Sequence, residues 1–290
     1  MLLGLLVLFL GITLLVACAT YLIYWYEESN RPDGPTTGTP VRLTTILRGL
    51  GSAVISQCLI CATYPLALLR LRRVPRRAIQ TTAGNPPILF IHGIFHNATA
   101  WLAYHRWFHQ HGFTHTFCYS YALAGKTFPE LVDHLEREIA ALEAACPGTR
   151  PLLVGHSMGG LLARAWMARA GNQARIQGVV TLGTPHRGSK LAGLGPTKLS
   201  RELRFHGEII RTLQVAEFSP DIPCYSLSSP LDNMVIPQEG LHIPVPGWQE
   251  ERTPAVCHIA MLYHRETALR AIAAARAIVE ENQEPQHPVL

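Results

Sequence analysis

The sequence predicts an α/β fold: a mostly parallel β-sheet flanked by helices, preceded by an apolar N-terminal helix that crosses a membrane. Three observations carry this. The apolar runs Ile88–Ile91 and Pro151–Val154 are short and unbroken, as strands buried on both faces are, and Ile176–Leu182 reads as a further strand. Helical patterns of about 10–20 residues separate them, so successive strands need crossovers and run parallel. Finally, Met1 to Tyr26 contain no charged side chain, a run longer than the ~20 apolar residues that span a hydrocarbon core.

Composition narrows the class. The 290 residues are 48% hydrophobic and 16% charged, below the ~25% charge of ordinary soluble domains, which excludes disordered and collagen-like chains. Seven cysteines over this length are too sparse for a disulfide scaffold. The net charge of +5 comes with no aromatic-interleaved basic face, so no nucleic-acid partner is expected.

Taken in order, residues 1–26 read as a transmembrane anchor, with Tyr21, Tyr24, Trp25 and Tyr26 as an interfacial belt. A cleaved signal peptide fits less well, because there is no basic n-region and the apolar stretch is too long. Leu15-Val16-Ala17-Cys18 fits a lipidated cysteine, but the chain stays apolar after Cys18 where a lipoprotein would turn polar. Residues 27–48 read as a linker rich in turn-formers. Residues 49–83 form a second hydrophobic, membrane-associated segment, uncharged from Gly49 to Leu69 and ending in Arg70, Arg72, Arg73, Arg76 and Arg77. It either spans, with the arginines marking the cytoplasmic side, or lies on the surface with them at anionic head groups.

Residues 84–285 form the α/β domain. After the strand Ile88–Ile91 come a helix over Ala98–Gln110, a β-rich stretch Thr114–Tyr121, and an amphipathic helix Phe128–Cys146 with Leu131, Leu135, Ile139 and Leu142 on one face. The strand Pro151–Val154 leads into a helix over Met158–Ala170, and Ile176–Leu182 follows. A helix over Leu203–Leu213, strands at Cys224–Leu227 and near Leu241–Val245, and an Ala-rich helix over Ile259–Glu281 complete the chain.

In such sheets chemistry sits at the carboxyl ends of the strands. There Gly155-His156-Ser157-Met158-Gly159 matches G-x-S-x-G, directly after a strand and before a helix, the context in which this motif exposes a nucleophilic serine. A serine needs a base, and on this fold the partners follow in the order Ser, acid, His. Only two aspartates lie downstream, Asp221 and Asp232. Asp221 precedes its strand, at the wrong end of the sheet, whereas Asp232 follows it. Beyond Asp232 stand His242, His258, His264 and His287. His258 lies where loop meets the last helix and is the predicted base, with His264 next.

Acyl transfer also needs donors for the oxyanion. The Met158 N–H, at a helix start, is one. The loop His92-Gly93-Ile94-Phe95 supplies the other from Ile94, with Phe95 next and also placed against the substrate. Gly188–Arg204 is expected to form a short mobile cover whose Leu191 and Leu194 line an acyl site. Cys58 and Cys61 form an isolated C-x-x-C and His105, His109 and His111 a wet helix face, so neither metal nor cofactor is expected.

Pro87–Trp101, Val154–Leu161, Val179–Ala192, Ser229–Val235 and His258–Leu262 together resemble the α/β-hydrolase lipases of bacteria, especially membrane-anchored members with an N-terminal hydrophobic segment. The resemblance covers about 200 residues. It implies a triad of Ser157, Asp232 and His258 with Ile94 and Met158 as oxyanion donors, and a bacterial inner-membrane location. Cys257 departs from the Gly often found before the histidine; it either stiffens the loop or pairs with Cys224 in an oxidising compartment. The expected function is hydrolysis of carboxylic, above all lipid, esters through an acyl-enzyme. The expected partners are an ester substrate and the membrane, with no protein partner. Acyl transfer to an alcohol with the same triad is the alternative. A silent membrane scaffold of the same fold is another, disfavoured by the complete triad.

Overall fold

The computed structural model describes residues 2–31, 43–69, 73–75, 77–81, 84–122, 125–215 and 220–283. The middle of the predicted linker, three arginines of the cluster (Arg70, Arg72 and Arg76) and His287 lie outside these residues. Six strands form one sheet: β1 (Ile88–Ile91), β2 (Thr116–Tyr119), β3 (Leu152–His156), β4 (Gly178–Leu182), β5 (Cys224–Ser228) and β6 (Trp248–Arg252). Their order is β2-β1-β3-β4-β5-β6 and every pairing is parallel. The chain leaves β1 toward β2 and returns to place β3 on the other side of β1. The direction of winding therefore reverses between β1 and β3, where open α/β sheets hold their ligands.

Alternation along the strands separates two apolar layers. Ile88 and Phe90 point to one side, Leu89 and Ile91 to the other. The first side is covered by α3 (Leu102–Gln110) and α8 (Arg265–Glu281). Ala268, Ala271, Ala274 and Ala275 of α8 are buried, and such small side chains let the helix lie close on β4 and β5. The second side is covered by α4 (Phe128–Ala145) and α5 (Met158–Met167). Thr127 and Glu130 close a capping box at the start of α4, satisfying N–H groups that the first turn leaves free.

Several predicted elements are corrected. The helix expected over Leu203–Leu213 is two short helices, α6 (Lys198–Glu202) and α7 (Glu208–Val215), parted where His206 takes a φ of 53°. No strand forms at Leu241–Val245: a 3₁₀ turn, Gln238–Leu241, ends there, and the sixth strand lies beyond it at Trp248–Arg252. The terminal helix begins at Arg265 after a separate 3₁₀ turn, Ile259–Leu262, so His264 caps it rather than lying inside it. His105 is not on a wet face. It is buried, with Nδ1 2.7 Å from Thr116 Oγ1 and Nε2 3.0 Å from Cys118 Sγ.

Two helices precede the sheet: α1 (Leu2–Ser29) and α2 (Leu43–Thr63), the latter continued by a 3₁₀ turn, Tyr64–Leu69. Both therefore reach into the ends of the predicted 27–48 linker. Val7–Ser29 and Leu43–Leu68 are long and apolar enough to cross a membrane. The helices pack on each other where the Tyr21 ring lies over Gly49; a Cβ there would come within 2.8 Å of Tyr21 Cζ.

Candidate active site

Ser157 joins β3 to α5 with φ 55° and ψ −126°, a conformation that costs a non-glycine residue on the order of 1–3 kcal/mol. The turn is held because its neighbours close around it. Ser157 N–H donates to the Leu182 carbonyl at 2.9 Å, and a Cβ on Gly159 would run into the Ile91 carbonyl. The loop after β1 presses on the same point: a Cβ on Gly93 would lie 2.9 Å from Ser157 Cβ. That loop is anchored by Tyr121, whose hydroxyl donates to the His92 carbonyl at 2.6 Å and whose ring stacks on the His92 ring at 4.0 Å.

Asp232 follows β5 and is fully buried. Its Oδ1 accepts the N–H groups of Met234 and Val235, each at 2.9 Å. Its Oδ2 lies 2.6 Å from His258 Nδ1. Gly183, at the carboxyl end of β4 with φ 53°, leaves room for this pair: a Cβ there would be 3.1 Å from Asp232 Oδ2, His258 Nδ1 and Met261 Sδ alike. The His258 N–H donates to Asn233 Oδ1 at 3.3 Å, and its carbonyl lies 3.2 Å from His156 Nε2. The His156 and His258 rings stand 4.6 Å apart between centroids. Among the described residues Ser157 Oγ forms no hydrogen bond with His258, as is common before substrate tightens a catalytic site.

Three further histidines lie at this end of the sheet, His156 and His96 beside His258, and burial holds all three neutral. Burial pushes the His156 pKa well below its ordinary value, and a charged His258 would push it further. Burial likewise lowers His92 to about 3 and, with the neighbouring His258, His96 to about 4. His156 Nε2 thus serves as donor to the His258 carbonyl.

The other predicted residues are placed as follows. Ile94 and Phe95 lie on the loop against Ser157; Phe95 has φ 58° and is half exposed. Met158 opens α5 and is buried. Leu191 is partly buried, but Leu194 is 77% exposed. The Gly188–Arg204 segment is not loose: Ser189 N–H donates to the Leu203 carbonyl at 3.1 Å, and Leu199 and Leu203 are buried in the core. Asp221 lies at the amino end of β5. His242 pairs with Glu250 at 2.9 Å, and His264 accepts the Thr267 N–H at 3.4 Å. Cys224 and Cys257 are both free thiols and belong to opposite apolar layers of the sheet, so of the two alternatives for Cys257 the pairing with Cys224 is not formed.

The model of the alpha/beta hydrolase family matches residues 88–286. The chain belongs to the alpha/beta hydrolase family. Solved structures with the same fold include the mature lipase BlEst2 of Bacillus licheniformis, with TM-score 0.58 and 16% identity over 71% of this chain and 96% of that one. Lipase B of Aspergillus fumigatus gives 0.60 and 15% over 71% and 56%. Phospholipase PlaB of Legionella pneumophila, in complex with thio-NAD, gives 0.55 and 14% over 67% and 61%. No curated protein is similar enough in sequence to count as a match. Within this hydrolase, sequence reasoning missed Gly183, Asn233 and His156 as members of the site. Gly183 directly follows a predicted strand at its carboxyl end, a signal that would have flagged it.

Proposed function

We propose that this hydrolase cleaves carboxylic esters, lipid esters in particular, by an acyl-enzyme route, while α1 holds it at a membrane. One observation carries the reading: Asp232 Oδ2 and His258 Nδ1 lie 2.6 Å apart at the sheet end where Ser157 sits on its strained turn. Ser157 Oγ attacks the ester carbonyl as His258 Nε2 takes its proton, and Asp232 stabilises the imidazolium and fixes its tautomer. The carbonyl electrons move onto oxygen, which the Ile94 and Met158 N–H groups receive. Collapse expels the alcohol with the proton from His258. Water, deprotonated by His258, then releases the carboxylic acid and restores Ser157.

Phe95, Leu191 and Leu194 are the apolar side chains offered to the acyl chain. The test is turnover of nitrophenyl esters of graded chain length by the full chain in detergent, with the products identified. Free acid and loss of turnover in Ser157→Ala support hydrolysis. Transfer to added alcohol at the expense of free acid would replace it with acyl transfer. Retention of the full chain in an alkali-washed membrane pellet tests the anchor.

A further inference from the structure

The N-terminal helices make polar contacts that an anchor alone does not need. Tyr21 donates its hydroxyl to the Leu231 carbonyl at 3.0 Å and Tyr24 to the Pro230 carbonyl at 2.7 Å. These are the two residues before Asp232. Asn233, directly after it, donates through Nδ2 to Thr20 Oγ1 at 2.7 Å. From α2, Ser52 Oγ accepts the N–H of Cys257 at 3.0 Å, and Ser56 Oγ lies 3.3 Å from its Sγ. Cys257 directly precedes His258. Apart from the half-buried Ser52, the side chains concerned are buried, while Leu14, Leu15 and Leu22 on the outer surface of α1 are exposed. Lipid-facing and site-facing sides therefore belong to one helix.

Thr20 has the most specific part. Its hydroxyl hydrogen is directed to the carbonyls of Val16 and Ala17, at 3.0 and 3.1 Å. Its oxygen is then available to Asn233 only as an acceptor. Asn233 must turn its NH₂ to Thr20, and this presents Oδ1 to the His258 N–H. Reversed, the amide would set NH₂ against N–H, two donors facing each other in a buried place.

We propose that α1 and α2 are a component of the active site, with Thr20 a positioning residue that sets the orientation of Asn233 and through it the His258 backbone. Tyr21, Tyr24 and Ser52 hold the flanks of the same two loops. The proposal rests on Ser157, Asp232 and His258 being the reacting residues.

The test uses the full chain in detergent and a water-soluble short-chain ester, so that partition into lipid does not enter. Thr20→Val is expected to lower kcat about tenfold or more, as loss of a support around a reacting group does. KM should stay within about twofold, since ground-state binding is untouched. Thr20→Ser keeps the acceptor and should restore kcat. Thr20→Val added to Asn233→Ala should cost nothing further, because both act through one contact. Leu22→Ala, on the exposed side of the same helix, should behave as wild type.

Should Thr20→Val fail to fold, Tyr21→Phe combined with Tyr24→Phe is expected to show the same kcat loss at unchanged KM. Wild-type kcat in Thr20→Val, or an additive loss with Asn233→Ala, overturns the proposal. So does wild-type kcat in the double tyrosine variant. If the wild type shows no Ser157-dependent turnover, the assignment of the reacting residues has failed and the proposal falls with it.

Discussion

Asp232 Oδ2 approaches His258 Nδ1 to 2.6 Å while Asp232 Oδ1 is occupied by the N–H groups of Met234 and Val235. Each oxygen of the carboxylate thus has its own task. One oxygen fixes the loop after β5, and the other is left to the imidazole of His258.

Asp232→Asn should separate these tasks. The amide oxygen would stay with the two backbone donors, turning NH₂ toward His258 Nδ1, which must then accept and leave its proton on Nε2. A base with the wrong tautomer is expected to lower kcat on the order of 10⁴-fold with the fold intact. Ester turnover beside far-ultraviolet circular dichroism checks this; a loss below tenfold would mean that Asp232 is not the orienting acid.

Gly183→Ala should damage the same pair sterically. The left-handed φ of 53° alone costs roughly 1–2 kcal/mol, and the new methyl would stand 3.1 Å from Asp232 Oδ2 and His258 Nδ1. Denaturant unfolding should report a stability loss of about that size, and turnover should fall further than stability explains. Wild-type turnover in the alanine variant would show that the Asp232–His258 spacing is not critical.

What the sequence disclosed and what it hid have physical causes. The Gly-His-Ser-Met-Gly turn was legible because strand, turn and helix are contiguous, and Asp232 and His258 followed from chain order and the polarity of a parallel sheet. β6 escaped because it is an edge strand whose Gln249, Glu250 and Arg252 face solvent, so no apolar run marks it. The start of α8 was misplaced because Ile259–Leu262 is as apolar as a helix face but forms a 3₁₀ turn, ended before His264 caps the next helix. Least legible were contacts such as Tyr21 to Leu231, made between residues 210 positions apart. No local pattern encodes such a pair.

The neutral histidines give the protein an acid-sensitive interior. With folded pKa values of about 3 for His92 and about 4 for His96, the unfolded chain binds protons that the folded chain refuses below about pH 6.5. Their contribution is fully present above that pH. It declines as pH falls toward 4, by about 1.4 kcal/mol per unit for each histidine. Unfolding free energy measured between pH 7 and 4.5 should therefore fall steeply, and less steeply in His96→Gln. An unchanged slope in the variant would show that His96 accepts a proton in the folded state.

Cys224 and Cys257, on opposite layers of the sheet, should both react with a thiol reagent once the protein is unfolded without reductant. Reductant should leave the melting temperature unchanged. A mass two hydrogens short, mapped to this pair, would contradict the fold described.

The most direct measurement of Ser157 as nucleophile is intact-mass analysis after treatment with a serine-directed fluorophosphonate. The folded wild type should gain one adduct, mapped to Ser157, and Ser157→Ala none, with His258→Ala labelled far more slowly. Folded wild type that takes up no adduct, or an equal adduct on Ser157→Ala, would contradict the assignment.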